Sequence, residues 1–118
     1  MEDNRGYRAG LESLFAESRP DLEVISAGSA REALDWLRIR QPGLVLMDVR
    51  LPDVNGLELT GQIKALYGGR PPVVILTSYD IPEYRQAAQE RGADGYLCKQ
   101  MVSPSELLEL VERFIPAP

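Results

Sequence analysis

An open α/β fold, with helices on both faces of a parallel sheet, is predicted by three observations. Short runs rich in Val, Ile and Leu alternate with segments of helical spacing. The runs are unbroken rather than alternately polar, as strands covered on both faces are. The length of 118 residues, with 44% hydrophobic and 26% charged, suits one globular domain with a core, residues 1–118, rather than a disordered chain.

Each element has its own warrant. Tyr7, Leu11, Leu14 and Phe15 form one face of a first helix, and Leu22–Ile25 reads as the first strand. Ser29-Ala30-Arg31-Glu32 has the pattern of a capping box, followed by the face Ala33, Leu34 and Leu37. Leu44–Met47 is the second strand. A third helix follows on Leu59, Ile63 and Leu66, weakened by Gly61 and stopped by Gly68-Gly69. Val73–Leu76 is the third strand. Asp80-Ile81-Pro82-Glu83 opens a fourth helix with a thin apolar face of Tyr84, Ala87 and Ala88, and Tyr96–Cys98 is the fourth strand. Ser103-Pro104-Ser105-Glu106 is a second capping box, with Pro in the first turn. The last helix buries Leu107, Leu108, Val111, Phe114 and Ile115. Right-handed crossovers between such strands give an open sheet.

Composition removes several function classes. With no His there is no His-ligated zinc or haem, no Ser-His-Asp or Cys-His catalysis and no phosphohistidine. A lone Cys98 makes no internal disulfide. Apolar runs such as Val73–Leu76 are far shorter than the roughly 20 residues of a membrane span. The start Met1-Glu2-Asp3-Asn4 is acidic where a signal peptide is basic, so a cytoplasmic protein is expected, away from membranes. A net charge of -5 disfavours direct nucleic-acid binding.

Parallel strands end at one edge, and open α/β folds bind ligands outside those carboxyl ends. The polar residues there are Asp48, Thr77 and Lys99, with Glu2-Asp3 ahead of the first helix. Singly, they read as a turn former, a turn hydroxyl, a solvated charge. Together they suit phosphoryl chemistry: a carboxylate can become an aspartyl phosphate, neighbouring carboxylates can hold Mg²⁺, and a Lys and a Thr hydroxyl can stabilise phosphoryl oxygens.

Leu44-Val45-Leu46-Met47-Asp48-Val49-Arg50-Leu51-Pro52-Asp53-Val54-Asn55-Gly56-Leu57-Glu58 resembles the phosphoacceptor segment of response regulator receiver domains. Val73-Val74-Ile75-Leu76-Thr77-Ser78 resembles their strand with a phosphate-contacting Thr or Ser, and Gly92-Ala93-Asp94-Gly95-Tyr96-Leu97-Cys98-Lys99 the strand with a switch aromatic and Lys. The likeness runs from about Glu2 to Ile115 and is nearest to receivers that usually precede a helix-turn-helix output domain. It implies a flavodoxin-like sheet; the strand order 2-1-3-4-5 is taken from that likeness. It further implies phosphorylation of Asp48, with Mg²⁺ held by Asp3, Glu2, Asp48 and the backbone carbonyl of Arg50. Lys99 would pair with the phosphoryl group, Thr77 would move toward it and Tyr96 would turn inward behind it. Ser78 stands where a small residue guards access. The implied partner is a sensor histidine kinase or phosphotransfer protein.

The sequence departs from that pattern at its start. Receivers place a hydrophobic strand before the acidic pair, and here only Met1 stands there. In the family order that strand is central, between the strands near Val24 and Val45, so its absence would separate them by roughly 9.5 Å. About five missing core side chains at roughly 1.5 to 3 kcal/mol each rival a domain's whole stability, about 5 to 15 kcal/mol. The expectation is therefore a receiver truncated at its N-terminus with no output domain. It has four strands, the Leu22 strand pairing directly with the Leu44 strand, in a homodimer that is intertwined or swapped. Gln100 also stands where many receivers have Pro.

Two readings compete. The first is a phosphoacceptor signalling module, not an enzyme; the second is a receiver-like interaction or dimerisation module that no longer accepts phosphate. A haloacid-type phosphohydrolase would need a second Asp two residues beyond Asp48, where Arg50 stands. Flavin or cobalamin binding lacks its phosphate loop or its His.

Overall fold

The computed structural model describes Met1 and residues 4–118. In chain order its elements are α1 (Arg5–Ser18), α2 (Ala30–Ile39), β1 (Val45–Met47), α3 (Gly56–Leu66), β2 (Val73–Thr77), α4 (Pro82–Glu90), β3 (Gly95–Cys98) and α5 (Pro104–Phe114). Among the described residues the three strands form one parallel sheet in the order β1-β2-β3. The register places Val45 beside Val73 and Met47 beside Ile75, then Ile75 beside Tyr96 and Thr77 beside Cys98.

All five β2 side chains are buried, because the sheet is covered on both faces. Val74 meets Phe15, Leu107, Leu110 and Val111, from α1 and α5. Val73 and Ile75 point the other way, toward Leu37 of α2 and Leu59 and Ile63 of α3, with Ala88 of α4. Alternate side chains of a strand leave by opposite faces, so an unbroken apolar run serves two cores at once. Leu110 is buried although the face read for the last helix omitted it. At the amino ends of the strands the Lys64 ammonium donates to the carbonyls of Gly69 and Pro71 and to Asp94 Oδ2, at 2.9, 2.8 and 2.7 Å. Asp94 Oδ2 also accepts from Val73 N–H.

The expected four-strand sheet is corrected to three strands. Leu22–Ile25 forms no strand, and its proposed pairing with the Leu44 strand does not occur. A strand exists only through hydrogen bonds to a neighbour, and a cleft separates this segment from β1. Its apolar residues line that cleft, and Val24 and Ile25 remain 43% and 38% exposed. The caps also divide. Ser103 and Glu106 form the full reciprocal box. Ser29 accepts from Glu32 N–H, but the Glu32 carboxylate takes Gly28 N–H instead of closing the box. Asp80 does not cap α4, since its carboxylate is held by Arg85. Gly68 and Gly69 stop α3 as expected, both at positive φ.

Asp53 ties the β1–α3 loop to α2, accepting from the N–H groups of Ala30 at 2.9 Å and Arg31 at 3.0 Å. These are open donors at a helix N-terminus, and they hold the Asp53 carboxyl below its ordinary range. Gly56 is fixed for a steric reason. A Cβ there would lie 1.8 Å from the Asp48 carbonyl oxygen, so the start of α3 rests directly on the backbone behind Asp48.

Gly56→Ala should therefore lower unfolding free energy by about 3 kcal/mol or more in urea titration, at the upper end of overpacking costs. The contribution of the Asp53 carboxylate should be complete above the ordinary value near 3.8 and vanish as pH falls through its lower folded-state value. The gap in urea midpoint between wild type and Asp53→Asn should accordingly be open at pH 7 and close in acid.

Candidate functional site

Asp48 directly follows β1 and is buried, with 7% of its surface exposed. Its carboxylate is held from two sides. Lys99, directly after β3, donates from Nζ to Oδ2 at 3.1 Å, and Arg50 N–H donates to Oδ1 at 3.3 Å. The loop bearing Arg50 is closed by an antiparallel bridge between Arg50 and Asn55. Asn55 then caps α3 by accepting from Leu57 N–H. Behind the carboxylate, Asp48 N–H donates to Met1 O at 3.0 Å.

Thr77 ends the neighbouring strand β2 and is fully buried. Lys99 N–H donates to its carbonyl at 2.8 Å, locking the ends of β2 and β3 together. Its hydroxyl accepts from Tyr79 N–H at 3.3 Å. Tyr96, in β3, lies partly buried against the core and donates its O–H to Tyr79 O. The backbone of Tyr79 thus links the hydroxyls of Thr77 and Tyr96. Burial pushes the Tyr96 phenol above its usual range, which keeps it a neutral donor. Ser78 follows Thr77 on an exposed turn.

Cations stack on aromatic rings around this mouth. The Lys99 ammonium lies 4.4 Å from the centre of the Tyr7 ring and the Arg50 guanidinium 4.6 Å from that of Tyr79. Arg85 covers Tyr96 at 4.7 Å. Sequence reasoning assigned Tyr7 only to a helix face; spacing along α1 carried no signal that its ring would meet Lys99. The tie from Asp53 to α2 was likewise unread, because its partners lie 22 and 23 residues away.

The sequence-derived set therefore gathers in part: Asp48 and Lys99 touch, Thr77 stands at the adjoining strand end, and Tyr96 reaches it through Tyr79. Glu2 and Asp3 lie outside the described residues. Asp48 offers carboxylate oxygens, and Arg50, whose N–H donates to Asp48 Oδ1, carries a backbone carbonyl; oxygens of these two kinds are donors that a hard divalent cation such as Mg²⁺ takes.

A parallel α/β sheet with a buried Asp and Lys at its carboxyl edge defines a class of strand-end sites, and comparison with known proteins narrows it. Residues 1–112 match the response regulator receiver domain family, and the chain belongs to it. It is 36% identical over 108 residues to the transcriptional regulatory protein DesR of Bacillus subtilis, covering 91% of this chain and 51% of DesR. The chain thus spans about half the length of that relative. The structure of a LuxR-family two-component response regulator from Aurantimonas sp. SI85-9A1 superposes with a TM-score of 0.84 at 33% identity, covering 95% of this chain and 79% of that one. The receiver domain of sensor histidine kinase PA1611 from Pseudomonas aeruginosa, solved with magnesium in its active site cleft, gives a TM-score of 0.84 at 25% identity, covering 99% and 94%. The chain is thus a two-component response regulator receiver with the flavodoxin-like fold. Among the described residues no helix is long and apolar enough to cross a membrane.

The Asp48 and Lys99 side chains are only 8% and 10% exposed, so removing the Lys99 ammonium takes a cation away from a buried carboxylate. Lys99→Met should cost about 3 kcal/mol in urea titration, and adding Asp48→Asn should restore part of it, a coupling read from the double-mutant cycle.

Proposed function

We propose that this receiver accepts a phosphoryl group on Asp48 and uses it to reset an interaction surface. The contact of the Lys99 ammonium with the Asp48 carboxylate at 3.1 Å, deep at the strand ends, carries this reading. A carboxylate oxygen of Asp48 attacks phosphorus, and the bond to the leaving group breaks with its electron pair on that group. Lys99 turns its charge to the new phosphoryl oxygens. Mg²⁺, held by Asp48 and the Arg50 carbonyl with Asp3 and Glu2, would neutralise charge on the phosphoryl group as it transfers.

Thr77 then offers its hydroxyl to a phosphoryl oxygen, which takes Oγ1 away from Tyr79 N–H. Tyr79 is also the acceptor for Tyr96, so the turn between β2 and α4 is the two-state element that the new charge biases. Tyr96 stays inward while its O–H keeps that carbonyl. Ser78, exposed beside Thr77, has the small side chain that this reading needs at the approach to Asp48.

The protein acts as an acceptor rather than as an enzyme with turnover, working in the cytoplasm with a sensor histidine kinase or phosphotransfer protein as donor. The likeness to DesR supports an output in transcription, carried by another domain or partner. A homodimer is the proposed signalling assembly.

Incubation with acetyl phosphate and Mg²⁺, followed by intact-mass measurement, should give one phosphoryl adduct that Asp48→Asn abolishes. Absence of the adduct, under conditions that label an ordinary receiver, would remove the phosphoacceptor reading. Thr77→Ala should still accept the group while the Tyr96 ring environment no longer responds, as followed by NMR.

A further inference from the structure

The start of α4 is held to the rest of the molecule by side chains rather than by a cap or a deep core. Ile81 stands at its N-cap with no side-chain hydrogen bond, and Ala88 is the one residue of the helix that is buried. Asp80, one position earlier, has the chemistry of a cap, yet its carboxylate accepts from Arg85 Nε at 2.7 Å. The Arg85 guanidinium lies over the Tyr96 ring, 4.7 Å from its centre, and the Tyr96 O–H donates to Tyr79 O. Tyr79 adjoins Asp80, so a circuit closes from Tyr79 through Asp80, Arg85 and Tyr96 back to Tyr79. The Tyr79 ring also meets the Tyr84 ring edge-on, with centres 6.3 Å apart.

An exposed ion pair by itself contributes little, and the Asp80 and Arg85 side chains are 46% and 47% exposed. What sets this pair apart is that a single planar group serves two partners. A guanidinium that gives Nε to a carboxylate and its face to a ring is fixed in both direction and tilt, which a compact ammonium does not reproduce. The circuit also reaches Thr77, because Tyr79 N–H donates to Thr77 Oγ1. Any shift of that amide therefore moves a stretch of backbone that the circuit is holding.

We propose that Arg85 is the positioning residue of the switch: fastened by Asp80, it holds the Tyr96 ring and the first turn of α4 in the resting arrangement, and so sets how readily Thr77 releases the turn. This rests on the reading of Asp48, Thr77 and Tyr96 given above. It adds Asp80 and Arg85, which act through Tyr96 and not on Asp48, so their effect is present before any phosphoryl group arrives.

The unphosphorylated whole chain carries the first test. Tyrosine-ring NMR, with Tyr96 assigned by Tyr96→Phe, should show a displaced Tyr96 population about threefold that of wild type in Arg85→Met. Hydrogen exchange at the Tyr84 amide, which donates to Ile81 O, should quicken by a similar factor. Asp80→Asn should raise the displaced population about twofold. In the Arg85→Met background it should add nothing, because Asp80 acts only through the guanidinium. Gln86→Met, at the exposed neighbouring position of α4, should leave the ring signal as in wild type.

Acetyl phosphate and Mg²⁺ supply the second test. Arg85→Met should form the Asp48 adduct and reach the same final Tyr96 signal as wild type, from a starting point already nearer to it. An unchanged Tyr96 signal in unphosphorylated Arg85→Met would overturn the proposal even if its urea midpoint falls, since a merely structural contact lowers stability without moving the ring. An Asp80→Asn effect that persists without Arg85 would overturn it as well. Failure of wild type and variant alike to form the adduct would remove the phosphoacceptor reading alone, and the comparison without donor would still decide the role of Arg85.

Discussion

Five consecutive residues of β2 with no appreciable access to water are the constraint around which the other elements arrange themselves. A strand buried on both faces needs apolar cover above and below and a hydrogen-bonded neighbour on each edge. Val74 recruits α1 and α5, while Val73 and Ile75 recruit α2, α3 and α4. β1 and β3 supply the edges. The polar consequence comes at the end of the run, where Thr77 is carried into the interior by the same burial and is satisfied by Tyr79 N–H. The two strands that flank β2 bring Asp48 and Lys99 to its carboxyl end, so packing and chemistry share one cause.

Electrostatically, charges at the site are paired before any ligand arrives. Among the described residues, the Asp48 carboxylate meets one ammonium and one backbone donor, and that ammonium also faces the Tyr7 ring. In surroundings with little water such interactions are strong and their loss is costly. A group bringing further negative charge would compete with Asp48 for Lys99, and rearrangement rather than simple addition follows. The rings of Tyr7 and Tyr79 keep Lys99 and Arg50 at the mouth.

Much of this was legible in the sequence because the governing patterns are local. Val73–Leu76 declared a two-faced strand, Ser103 and Glu106 a helix start, and Gly68-Gly69 a helix stop. Asp48, Thr77 and Lys99 were found by asking which polar residues close apolar runs. Leu22–Ile25 misled because apolarity reports a preference for shelter and not the presence of a hydrogen-bonding neighbour; here the shelter is the wall of a cleft. The contacts of Asp53 with α2, Tyr7 with Lys99 and Arg50 with Tyr79 were unread for another reason. They join segments far apart in the chain, and no periodicity encodes them.

The Lys64 clamp gives the sheet a mechanical asymmetry. One ammonium gathers two carbonyls and the carboxylate that also holds Val73, so the amino ends of β2 and β3 are pinned at a point remote from Asp48. The opposite ends carry turns, hydroxyls and stacked cations, held by bonds that can be exchanged one for another. The base is thus held by one shared ammonium, and the tip by the bond from Lys99 N–H to Thr77 O together with side-chain contacts that a new charge can redirect. Charge arriving beside Asp48 meets those exchangeable partners first, far from the clamp at the base.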